Sequence, residues 1–233
     1  MNRVQELLGL SAPPIAIGFL DAPPAGVAQW TGGPTPSGCT FWRYAMQGQS
    51  FYTVPSDHYN CAVGAHTHAV SLPAERAKEL EDTVGFMVAN HYIEMKEVPG
   101  IPVLPKTPAA VAYAPVDDAK FAADAVLLAA DPNAAMLLYE AALRAGAGNA
   151  LTNVLGRPGC AVLPLAGMTG STSLSFGCKG NRTFTGLPAS QLYVAIPGKH
   201  WGAVAQQVEV VCAANAAMGQ YYDNKKSLFP IVN

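Results

Sequence analysis

Nineteen prolines and 22 glycines are spread through 233 residues, and this punctuation limits what the chain can build. Proline fixes φ and removes a backbone donor, whereas glycine readily enters left-handed turns. The segments between them are short, so many brief elements are expected. Several are apolar runs next to proline, glycine or aspartate. "PPIAIGFL" (13–20), "SFYTV" (50–54), "AAVAYAPV" (109–116), "AVLLAAD" (125–131) and "QLYVAIP" (191–197) read as strands. The clearest helix spans 73–92, with Pro73 at its start and Glu75 in its first turn. Ala77, Leu80, Val84, Met87 and His91 recur along one face of it, which predicts a buried or half-buried His91. Further helices are expected at the N-terminus up to Gly9, over 39–48, over 132–145 after Pro132, and over 200–219 with Val204, Val208 and Val211 on one stripe. The stretch from Val54 to Leu72 and the stretch 167–186 read as loops. Mixed strands and helices predict an α/β or α+β fold with a mixed sheet, as one domain over 1–233.

Half of the residues are hydrophobic and 13% are charged, so the core should be large and the surface poor in charge. That composition favours a homo-oligomer with apolar interfaces. The net charge of −2 and the lack of a basic stripe argue against a nucleic-acid partner. No apolar run reaches the length of a membrane span. The N-terminus has no apolar signal core, and five cysteines in loose spacing do not resemble a secreted disulfide framework. A cytoplasmic protein is expected.

The two halves of the chain share a loose order. A strand (15–20), Cys39, Cys61 followed by a glycine, and "VAYAP" (111–115) are echoed by a strand (125–130), Cys160, Cys178 followed by a glycine, and "YVAIPG" (193–198). If this echo reflects a duplication, it divides the domain into internal halves, 1–120 and 121–233, and pseudo-twofold symmetry would bring the cysteine loops together.

Three stretches carry chemistry. Cys39, Cys61, Cys160 and Cys178 lie in Gly/Pro-rich loops or at element ends, where thiolates can hold an iron–sulfur cluster, zinc or haem iron. No Cys-x-x-Cys pair is present, and buried free cysteines are the plain alternative. Cys61 also shares "YNCAVGAHTHAV" with His66 and His68, a set that suits zinc binding or a histidine-activated thiolate. Two residues apart, these histidines point the same way only in an extended segment. Asp57–His58 upstream reads as a pair of neighbours pointing apart. The stretch "GMTGSTSLSFGCKGNRTFTG" (167–186) has five glycines, Lys179 and Arg182, and no acidic residue, so it offers N–H groups and positive charge to an anion. Arg157 in "LGRPGC" stands three residues before Cys160. Phe41–Trp42–Arg43–Tyr44 could wall a pocket for a flat cofactor or simply pack the core.

At "YNCAVGAHTHAVSLP", "LGRPGC" and "FGCKGNRTFTG" the chain resembles the bacterial and archaeal family catalogued as domain of unknown function 169. The resemblance runs from "PPIAIGFL" to "YVAIPG". The family's four motif cysteines match Cys39, Cys61, Cys160 and Cys178, and its Gly-Cys-x-Gly-Asn-Arg stretch matches Gly177 to Arg182. One histidine after the first motif matches His68, which leaves His66 as an addition. Gly159 stands where relatives often carry threonine. The resemblance brings no activity with it, but it favours a shared four-cysteine site.

Three functions are therefore carried forward. The first is a redox or cofactor-binding protein, an oxidoreductase or lyase if an enzyme. In it the four cysteines hold an iron–sulfur cluster, most simply 4Fe-4S, and Arg157, Lys179, Asn181 and Arg182 offset its charge or bind an anionic small-molecule substrate. The second is an enzyme with Cys61 as nucleophile and His66 or His68 as base. The third is a non-catalytic carrier of haem, zinc or another small molecule.

Overall fold

The computed structural model describes residues 2–148 and 154–226. A seven-stranded sheet forms its middle layer. The strands are β1 (Ile15–Leu20), β2 (Phe51–Thr53), β3 (Ala110–Pro115), β4 (Ala125–Ala130), β5 (Val154–Leu155), β6 (Ser173–Ser175) and β7 (Leu192–Pro197), in the order β2-β3-β1-β4-β7-β6-β5. All neighbours are antiparallel except β5 and β6. The class is mixed α/β, as the pattern of short apolar runs implies.

The order of the first six strands reads the same from both ends when β1 is matched with β4, β3 with β7 and β2 with β6. The registers agree with that match. About the central pair Ala16–Val126, Ile15 faces Leu127 and Ile17 faces Ala125. Pro115 lies opposite Ile15 on one side, and Pro197 lies opposite Ala125 on the other. β5 has no counterpart. Strands β1 to β3 lie within residues 1–120 and β4 to β7 within 121–233.

Side chains alternate between the two faces of the sheet. On one face Val126, Leu128, Val194 and Ile196 pack against α1 (Arg3–Leu8), α5 (Pro132–Arg144) and α8 (Trp201–Lys226). On the other, Ile15, Ile17, Leu127, Tyr193 and Ala195 join Phe41 and Trp42 of α2 (Thr40–Met46), together with Cys39, Cys160 and Leu163 of α6 (Val162–Thr169). Two short helices complete that second layer, α3 (Ala62–Thr67) and α7 (Lys179–Thr185). One face of the sheet thus carries the helical layer that contains all four motif cysteines. Where β1 meets the chain entering β4, Gly18 is required by space. A Cβ there would sit 2.8 Å from Phe121 Cδ2 and 2.9 Å from the Ala122 carbonyl oxygen.

Four expectations are corrected. The segment after Tyr59 is not an open loop but contains α3, built on small residues that pack closely. His66 and His68 therefore diverge, the first half-buried and the second buried. The stretch 167–186 is not a loop either, since it holds the end of α6, β6 and α7. α4 (Ala74–Ala89) stops before His91, which is exposed with φ 54°, and α4 has no buried residue at all. Finally, α8 extends to Lys226, beyond its buried stripe of Val204, Val208 and Val211.

Candidate functional site

Each motif cysteine stands at a helix entrance. Cys39, Cys61 and Cys178 occupy the N-cap positions of α2, α3 and α7, and Cys160 lies in the 3₁₀ turn that leads into α6. Helix entrances carry backbone N–H groups without intrahelical partners, and a sulfur placed there receives them. Cys178 Sγ accepts from Asn181 N at 3.5 Å. The N–H groups of Gly38 and Gly64 act on Cys61, and those of Cys160 and Ala161 on Cys160, each in the direction that lowers the thiol. Thr67 donates its hydroxyl proton to the Gly64 carbonyl at 2.9 Å, and the same oxygen lies 3.4 Å from Cys160 Sγ.

The four sulfurs converge. Cys39 and Cys160 are both buried and close enough for their thiols to interact. That interaction is the largest effect on each thiol. It pulls Cys160 below the usual thiol range and, together with burial and the nearby Cys160 and Cys61 charges, raises Cys39 well above it. Cys61 is pushed up to about 11, chiefly by burial and then by Cys160, with Cys178 adding a smaller contribution. Cys61 and Cys178 are only partly covered, so they mark the solvent side of the site. Two glycines permit the approach. A Cβ at Gly64 would lie 2.8 Å from Cys61 Sγ, and one at Gly159 would lie 3.2 Å from Cys178 N. Cys212 lies apart on α8, where its thiol contacts the Leu7 carbonyl at 3.8 Å. As placed, no three Cys, His, Asp or Glu side chains among the described residues are grouped to hold a metal ion.

Buried polar atoms without partners surround the thiols. Asn181 is 2% exposed, and its amide approaches Cys39 and Tyr193 without a well-formed hydrogen bond from either amide atom. His58 and His68 are each 1% exposed and pack edge to face, with ring centroids 5.4 Å apart. Both ring nitrogens of His68 and Nδ1 of His58 have no partner. A Cβ on Gly38, the residue before Cys39, would come 3.5 Å from that Nδ1. Such groups are costly in a dry interior unless something supplies the missing bonds. Spacing alone did not point to His58. Its position beside the site comes from a 3₁₀ turn (Pro55–His58) that folds it under Phe41.

Several expected roles change. Arg182 does not face a ligand. Its guanidinium donates to the carbonyls of Pro188 (2.7 Å), Phe176 (2.5 Å), Gln191 (2.8 Å) and Leu187 (3.5 Å), closing the turns on either side of α7. Burial raises the Cys61 thiol rather than lowering it, and His68 turns toward His58 and Phe19. Phe41 and Trp42 are fully buried against Tyr113, Phe51 and Tyr193, so this run packs the core. Arg157 and Lys179 are exposed at the rim, where Tyr92 joins them. The Arg157 guanidinium lies 4.6 Å from the Tyr92 ring centroid, and the Tyr92 hydroxyl accepts from Lys179 N at 2.9 Å.

Residues 3–207 match the model of a single family, domain of unknown function 169 (DUF169), described as uncharacterised ArCR. The chain belongs to the DUF169 family. The match includes every strand of the sheet and all four converging cysteines of this DUF169 protein, and it ends within α8. No curated protein and no solved structure matches the chain.

Proposed function

We propose that Cys39, Cys61, Cys160 and Cys178 act as one thiolate site that holds a metal cofactor, in its simplest form a 4Fe-4S cluster. The observation that carries this reading is the convergence of four sulfurs from four separate helix entrances, two from each half of the chain. Backbone N–H groups near Cys61 and Cys160 act to lower their thiols, although burial leaves Cys61 raised, so a bound metal would be what holds Cys61 as the thiolate. A cluster of this kind supplies electron transfer or, with one iron left open, Lewis acidity toward a small anionic substrate, so the protein reads as an oxidoreductase or lyase. Arg157 and Lys179 at the rim provide the charge for that anion. Thr67 and Asn181 orient thiols inside. A thiolate site belongs in a reducing compartment, and the cytoplasm is the proposed location. No helix among the described residues is long and apolar enough to cross a membrane.

The test is anaerobic purification followed by a visible spectrum and iron and sulfide analysis. Broad absorbance near ~400 nm with about four iron per chain is expected for the cluster. Each of Cys39→Ser, Cys61→Ser, Cys160→Ser and Cys178→Ser should lower the iron content, while Cys212→Ser should not. Full iron in all four variants would exclude the shared site.

A second reading rests on the nearness of Cys39 and Cys160. Two buried thiols close enough to interact could close to a disulfide by exchange with a disulfide substrate, whose two sulfurs take up the two electrons and the two protons and leave as thiols. Colourless protein that yields a Cys39–Cys160 cross-linked peptide after mild oxidation would favour it over the cluster.

A further inference from the structure

A recess of about 270 Å³ opens where β1, the segment before β3 and α6 meet, with no cysteine in its lining. Its walls include Phe19, Leu104, Leu163 and Met168, all apolar. Phe19 also packs edge-on against His68, with ring centroids 5.3 Å apart, so one ring separates the recess from the histidine pair. Two charged side chains reach it. Lys106 is paired with Asp21 at 2.6 Å, so its charge is already answered. Asp124 stands at the mouth, exposed to solvent, and accepts from Phe19 N at 2.6 Å. Among the described residues it forms no ion pair. Packing around it raises its carboxyl above the usual range, and the Asp21 charge adds to this against the Phe19 N–H bond. A cation brought to this point would relieve both effects.

We propose that the recess binds a small amphiphilic amine, with its apolar body against Phe19, Leu163 and Met168 and its ammonium at Asp124. The shape and charge pattern favour that class over others. An apolar hollow with a carboxylate at its mouth stabilises a short hydrocarbon or aromatic body that ends in a positive hydrogen-bond donor. An acid of the same shape would meet the like charge of Asp124, and a neutral analogue would leave Asp124 unanswered. This site is independent of the cofactor reading, because no cysteine lines it.

Gly167 provides a clean test. It lines the recess, and a Cβ on it meets no atom within 4 Å, so Gly167→Leu can add bulk there with no clash at its first carbon. The probes are phenethylamine, phenylacetate and 2-phenylethanol, titrated into the purified full chain and followed by ligand-observed NMR. The amine should saturate with Kd at or below ~10 mM, the weak end for a ligand of this size. The acid and the alcohol should bind about tenfold more weakly or worse. Gly167→Leu should abolish saturation by the amine, and Asp124→Asn should reduce the amine to the level of the alcohol. The proposal is overturned if the amine does not saturate, if acid and amine bind alike, or if Gly167→Leu leaves amine binding unchanged. Should Asp124→Asn fail to fold, the comparison of the three probes on the parent chain still decides the role of charge.

Discussion

His58 is held by Thr53. The Thr53 hydroxyl lies 2.9 Å from His58 Nε2 and 3.2 Å from the Val111 carbonyl, and its single proton serves one of them. Given to the carbonyl, it leaves Thr53 Oγ1 to accept from a proton on Nε2. Burial drives His58 down to about 3, with the His68 charge adding to it, and burial alone drives His68 down to about 4, both from 6.5. The folded chain keeps both neutral, whereas the unfolded chain takes up protons near pH 6.5. Their contribution to stability is therefore complete above 6.5 and is lost as the pH falls from 6.5 toward 4. The slope should approach about 1.4 kcal/mol per pH unit for each histidine. Urea unfolding across that window checks it, and His68→Phe should remove roughly half of the slope. Arg182 gives a second residue-scale prediction. Lysine cannot reproduce a planar fork shared among four carbonyls, so Arg182→Lys should cost about 1.5–3 kcal/mol by denaturant melts. Gly64→Ala belongs with these. It forces Cβ against Cys61 Sγ, and the expected result is loss of the cofactor signal in a folded protein, read by circular dichroism beside the visible spectrum.

Among the elements, residues 71–108 stand out because the second half of the sheet has no counterpart to them. Between α7 and β7 the chain needs only six residues. Between α3 and β3 it makes an excursion through α4. The excursion is rooted on α3, where Leu104 N donates to the Thr67 carbonyl at 3.0 Å and Thr107 donates to the Ala69 carbonyl. It is fastened at two further points. Arg76 donates to the Tyr59 carbonyl and to Asn60 just before Cys61, and Tyr92 ties Arg157 to Lys179 beside Cys160 and Cys178. With no buried residue in α4, these ties hold the strap over the solvent side of the thiols. Tyr92→Phe removes the acceptor of one N–H and should cost about 0.5–1.5 kcal/mol. Tyr92→Ala should also speed alkylation of Cys61 and Cys178 in metal-free protein, measured by mass spectrometry over time. An unchanged rate would mean that the strap does not cover them. Strands such as β1, β3, β4 and β7 were readable because each is an apolar run against a proline or an aspartate. β6 and α7 were not, because Gly, Ser and Thr dominate 167–186, and α6 was not, because eight residues interrupted by Pro164 are too few to show a period. The four cysteines were readable as a set, but their closeness depends on sheet order, and the use of Arg182 and His58 depends on carbonyls and hydroxyls that a sequence does not place.

At the scale of the whole molecule, the sulfurs lie where the two sets of strands meet. β1 and β4 are joined by only three residue pairs, although each is fully paired with its other neighbour, β1 with β3 and β4 with β7. Above that short seam, Cys39 and Cys61 come from one side, and Cys160 and Cys178 from the other. Beyond the body, α8 continues from Ala213 to Lys226 with every residue exposed, Tyr221 and Tyr222 among them. A chain ended after Cys212 loses no buried side chain among the described residues. Its melting temperature should stay within about 2 °C of the full chain, and light scattering of the two forms would show whether the proposed homo-oligomer needs this extension. The seam itself has a mechanical consequence. Whatever four thiolates grip there would act as a rivet through both plates of the protein, so the stiffness of the joint becomes a property of its cargo. A loaded molecule and an empty one could share every strand and still differ in how freely their two sides flex.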